Sequence, residues 1–111
     1  MTVRELADKM GLRVLVEGND RPVTDIYISD LLSDVIACAE EGNIWITVQK
    51  HVNIIAVAQL KKVAAILMPK GSPPEANVLD RAAKEGIYML QGDVSAFELC
   101  GRLYILLHSS A

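Results

Sequence analysis

The chain has 111 residues, of which 51% are hydrophobic and 23% charged; that composition supplies one compact core and excludes wholesale disorder. Eleven Lys and Arg against fourteen Asp and Glu give a net charge of −3, without the basic footprint that a phosphate backbone requires. Aromatics make up only 5%, too few for base stacking, so no nucleic-acid partner is expected and Ala, Val, Ile and Leu must fill the core.

Thr2-Val3-Arg4-Glu5 reads as a capping box that opens a first helix, and Gly11 suits its left-handed stop. Residues 1–11 lack the unbroken apolar run of a signal peptide. The apolar stretches 44–48 and 64–68 are far too short to cross a bilayer, so a cytoplasmic protein with no membrane partner is expected. Residues 12–16 read as a short strand and Gly18-Asn19-Asp20-Arg21-Pro22 as a turn. Residues 23–28 alternate imperfectly, as a strand with one exposed face does, so this front section should form a hairpin or a mixed sheet edge.

From Ser29 the pattern changes. Residues 30–39 have helical spacing with Leu31, Leu32, Val35 and Ile36 as the apolar face, Asp30 at the favourable start, and Gly42 closing the segment. Residues 44–48 (Ile-Trp-Ile-Thr-Val) read as a strand covered on both faces. Residues 53–62 form the next helix, with Asn53 as N-cap and Lys61 and Lys62 at the negative end of its dipole. A buried strand at 65–68 stops at Pro69, a loop spans 70–74, and a helix over 75–85 ends at Gly86. Residues 87–90 make another buried strand. Ser95-Ala96-Phe97-Glu98 is a second capping box, opening a helix that runs to about Leu107, and residues 108–111 read as a frayed end in which His108 has no role.

Three successive strand-then-helix units imply parallel strands, right-handed crossovers and helices on both faces. The expected architecture is α/β: one three-layer domain over residues 1–111, with a mainly parallel sheet and an N-terminal strand pair or mixed edge. The last helix carries Phe97, Leu99, Leu103, Tyr104, Ile105, Leu106 and Leu107 around much of its circumference, which demands burial within the chain or in a homodimer. Cys38 and Cys100, among apolar neighbours, read as buried thiols. Without a CxxC pair, and with His51 and His108 as the only histidines, no metal centre is expected.

In parallel sheets ligands collect beyond the carboxyl ends of the strands. Three segments occupy that edge, and they contribute Lys50, His51 and Asn53, then Lys70 and Ser72, then Asp93 and Ser95. Together they offer two cations, one imidazole, hydroxyls and free N–H groups suited to an anion. Helix capping by Asn53 and Ser95, and solvation of His51, account for the same residues without a ligand. Asp20, Asp25, Asp30 and Asp34 do not form a metal loop, and no GxGxxG, Walker A or GxSxG motif is present.

Three stretches together resemble the DRTGG domain family: residues 18–24 (Gly-Asn-Asp-Arg-Pro-Val-Thr), 27–33 (Tyr-Ile-Ser-Asp-Leu-Leu-Ser) and 42–49 (Gly-Asn-Ile-Trp-Ile-Thr-Val-Gln). Residues 95–104 are similar to that family's last helix, so the resemblance covers nearly the whole chain. Asp20 and Arg21 match the eponymous motif, whereas Pro22-Val23-Thr24 replace its Thr-Gly-Gly, so no role of those glycines transfers. The resemblance implies a fold similar to the N-terminal domains of HPr kinase/phosphorylase and of the Mur ligases, a regulatory role, and no catalytic residues or cofactor. The expectation is a non-enzymatic, ligand-sensing module that binds a small anionic metabolite or nucleotide at the strand ends and reports through a homodimer or a partner protein. The alternative is an assembly domain without a small ligand. An enzyme would need His51 to work with Asp93 or with another carboxylate brought close by the fold.

Overall fold

A computed structural model describes residues 1–108; residues 109–111, read above as part of a frayed end, lie outside the described residues. In chain order the elements are α1 (Val3–Met10), β1 (Arg13–Val16), β2 (Asp25–Ile28), α2 (Leu32–Cys38), β3 (Asn43–Ile46), α3 (Asn53–Lys61), β4 (Ala65–Met68), α4 (Ala76–Glu85), β5 (Tyr88–Gln91) and α5 (Ala96–His108). The strands form one sheet in the order β1-β5-β4-β3-β2. Neighbours from β2 to β5 are parallel, and β1 adds antiparallel to β5. The protein is therefore α/β, with a mostly parallel sheet.

Because β2 to β5 follow one another without reversal, right-handed crossovers must place α2, α3 and α4 on the same face. The core confirms it. Val35 of α2, Ile54 and Ala58 of α3, and Val78 and Ala82 of α4 pack with Trp45, Ile66 and Met89. On the other face, Val3 and Leu6 of α1 and Leu99 and Leu103 of α5 pack with Ile44, Leu67, Tyr88 and Leu90. Alternate side chains of each inner strand feed opposite layers, which is why β3, β4 and β5 are buried at every position.

The expected front hairpin is replaced by a strap. β1 and β2 lie on opposite edges of the sheet. The segment between them crosses the amino ends of the parallel strands, held by Asn19 N–H donating to Gly86 O (2.9 Å), Val3 N–H to Arg21 O (3.1 Å), Val23 N–H to Met1 O (2.8 Å) and Thr24 N–H to Gly42 O (2.9 Å). Gly18 is required for the crossing: a Cβ there would lie 2.3 Å from Tyr88 N and 2.6 Å from Gly86 O. The mixed edge is present, as β1 against β5. Asp20 accepts from Arg4 N–H in the first turn of α1 (3.0 Å), so this motif residue supplements the Thr2–Glu5 capping box, which is formed as expected.

Several local expectations change. α2 is only one to two turns long and inserts Val35, while Leu31 and Ile36 remain exposed. It ends at Cys38, with Ala39 as cap, and Gly42 (φ 84°) instead forms the turn into β3. Asn53 is the first residue of α3; the cap position is Val52, without a side-chain bond. Ser95 accepts from Glu98 N–H (3.3 Å), but the Glu98 carboxylate pairs with Arg102. His108, far from frayed, ends α5 stacked on Tyr104 (4.6 Å between centroids) and lies 3.2 Å from Asp25 Oδ1. Cys38 is an exposed free thiol and Cys100 is partly buried, so neither is the fully buried residue expected. Burial pushes the Cys100 thiol up. No helix among the described residues is long and apolar enough to cross a membrane.

Candidate functional site

The carboxyl edge of the sheet is built from loops that follow β2, β3, β4 and β5, and a polar network holds it. Asp30, read as a helix-start charge, instead accepts from Thr47 Oγ1 (2.8 Å) and Val48 N–H (2.9 Å), binding the loop after β2 to the end of β3. Gln49 Nε2 donates to Asp30 O (3.0 Å), and the indole of Trp45, in the core with none of its surface exposed, donates to Ser29 O (2.9 Å). Further along, Gln91 is buried and ties three segments together. Its Nε2 donates to Gly71 O (2.8 Å) and Pro69 O (3.3 Å), and its Oε1 accepts from Arg13 (3.0 Å). Lys70 N–H donates to Val94 O (2.9 Å). The loops that carry the sequence-predicted residues are thus fixed to one another at their bases.

Between the entries to α3 and α4 these loops enclose an open cleft of about 490 Å³. Lys50, His51 and Val52 form one wall; Ser72, Pro73, Glu75, Asn77 and Val78 form the other. A smaller hollow of about 100 Å³ beside it is lined by Lys50, Lys70 and Ser72. Lys50, His51, Lys70 and Ser72 therefore converge. Asn53 does not line either space, and its N–H donates to His51 Nδ1 (3.2 Å), so the imidazole satisfies a backbone donor at the start of α3. Ser95 opens α5, which packs on the opposite face of the sheet, and neither it nor Asp93 reaches the cleft. His51 and Asp93 form no hydrogen bond or ion pair among the described residues; the carboxylate that shares the cleft with His51 is that of Glu75.

Glu75, Asn77 and Pro73 escaped the sequence reading. α4 starts without a side-chain cap at Glu75, beside the cleft, and the N–H groups of Ala76 and Asn77 have no protein acceptor among the described residues. The rule that singled out Asn53 and Ser95, a helix start at the carboxyl edge, applies equally to residues 75–77. Asp20 and Arg21 lie at the other end of the sheet, where Arg21, Glu41 and Lys62 line a separate hollow of about 320 Å³.

One titratable pair flanks the edge. Tyr27 Oη donates to Asp34 Oδ2 (2.7 Å). That bond, helped by Ser29, holds the Asp34 carboxyl below its ordinary range, and the same bond with partial burial raises the Tyr27 phenol well above its ordinary value.

No family model matches the sequence, and no curated protein does. A solved structure matches in fold: the CBS and DRTGG domains of the regulatory region of Clostridium perfringens pyrophosphatase, complexed with its activator diadenosine tetraphosphate. The TM-score is 0.72 at 17% identity, over 94% of this chain and 46% of that one. This chain thus spans about half the length of the solved chain, and the likeness is one of fold. It agrees with the resemblance carried by residues 18–49 and 95–104, and the protein has the architecture of a DRTGG-like α/β domain.

Proposed function

We propose that the protein is a ligand-sensing regulatory module that binds a nucleotide or similar phosphorylated metabolite in the cleft between the β3–α3 and β4–α4 loops. The observation that carries this reading is the convergence of Lys50, His51, Ser72 and the uncapped start of α4 on one 490 Å³ space. Cations and helix-start N–H groups suit phosphate oxygens. Glu75 in the same wall would repel a bare anion at close range, but it accepts from ribose hydroxyls or a base amino group, which favours a nucleotide over inorganic phosphate. The solved relative in fold is a regulatory region crystallised with a dinucleotide activator, which supports the same class of ligand. The solved chain of like fold is a regulatory region, which supports reading this module as a regulatory one.

Calorimetric titration with diadenosine tetraphosphate, ATP, ADP, AMP and inorganic pyrophosphate tests the proposal. One nucleotide should bind, and Lys50→Ala/Lys70→Ala should weaken it by about a hundredfold, at about tenfold per charge-assisted contact. Unchanged affinity in that double variant would remove the cleft assignment. A flat titration across the panel would leave the assembly reading, for which the exposed apolar side chains of α5 speak.

A further inference from the structure

The sequence spreads apolar residues around much of the circumference of α5, yet the fold buries only one side of it. Leu99 and Leu103 are in the core, whereas Phe97 is 90% exposed, Ile105 69% and Tyr104 64%. At 3.6 residues per turn, Phe97, Gly101, Tyr104, Ile105 and His108 fall on one stripe, opposite Leu99, Leu103 and Leu106. Gly101, at the middle of the stripe, has open space above it, with nothing within 4 Å of where a Cβ would stand. His108 stacks on Tyr104, which fixes that ring before any partner arrives.

We propose that this stripe is a two-fold interface with a second copy of the chain, in which two α5 helices cross antiparallel at Gly101. The stripe is self-complementary in shape. Phe97 protrudes from the stripe, and Tyr104 stands two turns further along on the same side of it. An antiparallel two-fold through Gly101 keeps each side of the stripe on its own side, so Phe97 of each copy packs beside Tyr104 of the other as an aromatic pair. Charge is complementary in the same arrangement. Glu98 and Arg102 flank the stripe on one side and pair within the helix; antiparallel crossing brings Glu98 of one copy alongside Arg102 of the other. Glycine at the crossing lets the backbones approach closely.

Size also fits a second copy. Phe97 and Tyr104, at about 150–250 Å² per aromatic side chain, supply on the order of 600 Å² from two copies at their exposures. Ile105 and the stem of Arg102 bring the total to on the order of 1,000 Å², the lower bound for a specific interface. The contact lies on the sheet face opposite the α3–α4 cleft and does not depend on the ligand reading.

Sedimentation equilibrium over a dilution series is the test, with the full chain and two variants. The wild type should dimerise reversibly. Phe97→Ser should raise the dissociation constant about a hundredfold, since the ring is lost from both copies, while an unchanged circular dichroism melt shows that the fold persists. Leu60→Ser, at a 65% exposed apolar position on the other face, should leave the constant unchanged. Helix axes about 8–10 Å apart with a Cα radius of about 2.3 Å put the two Gly101 Cα atoms about 3.4–5.4 Å apart, overlapping disulfide range. Gly101→Cys, with Cys38 and Cys100 replaced by Ala, should therefore cross-link under mild oxidant. A chain that stays monomeric up to millimolar concentration overturns the proposal. So does a dimer that ignores Phe97→Ser, or one in which Gly101→Cys fails to cross-link.

Discussion

Gln91→Ala should destabilise the protein by about 2–4 kcal/mol although the residue belongs to no active group. Its side chain is 2% exposed and fills three roles at once. Losing the donor leaves the carbonyl of Pro69, itself buried, without a partner, at about 1–3 kcal/mol for a stranded buried acceptor. The Gly71 carbonyl is exposed and rehydrates, so its share is closer to about 0.5–1 kcal/mol. Arg13 is exposed and loses least. The total corresponds to a drop in Tm of roughly 10–20 °C for a domain of this size. Urea unfolding followed by the fluorescence of Trp45, the single tryptophan and fully buried, measures it directly. Arg13→Ala, which removes only the exposed partner, should stay within about 0.5 kcal/mol. A Gln91→Ala loss below about 0.5 kcal/mol would refute the view that Gln91 anchors the loop that carries Lys70 and Ser72.

Two further outcomes follow from the same geometry. Gly18→Ala should cost about 2–4 kcal/mol in urea unfolding, because its methyl meets backbone atoms of residues 86–88 that cannot rotate away, and a loss under about 1 kcal/mol would show that the strap can shift. Tyr27→Phe should lower stability near neutral pH, and the difference from wild type should fade at both extremes. Asp34, with its folded pKa depressed, contributes above its ordinary value and loses that contribution as pH falls through the depressed one. Tyr27, with its folded pKa raised, contributes below its ordinary value and loses that contribution as pH rises through the raised one. A difference that is flat with pH would contradict the pairing.

The inner strands were legible because each is a short, mostly apolar run with a Gly or Pro beside it. Parallel pairing followed from the helices between them. The hairpin expectation failed for a specific reason: 12–16 and 23–28 look like two strands around a turn, and nothing local reveals that Gly18 passes against the backbone of residues 86–88 and carries the chain to the far edge. Asp30 misled in a similar way, since a carboxylate before a helix is read as a cap unless Thr47 is known to lie beside it. At the site, the loops themselves were predictable from strand ends. Which loops face each other was not, because Asn53, Asp93 and Ser95 share the edge with Lys50 and Ser72 but sit on a helix wall or across the sheet. α5 looked apolar around much of its circumference, and only the position of the sheet decided that Phe97, Tyr104 and Ile105 face outward.

The claim that the carboxyl-edge cleft is a nucleotide site is tested most directly by following backbone amide resonances during titration with diadenosine tetraphosphate and ATP. The account predicts shifts concentrated at residues 50–53 and 70–78, saturating together and absent in Lys50→Ala/Lys70→Ala. Shifts confined instead to the strap around Arg21 and Lys62, or no saturable shift with either nucleotide, would contradict it.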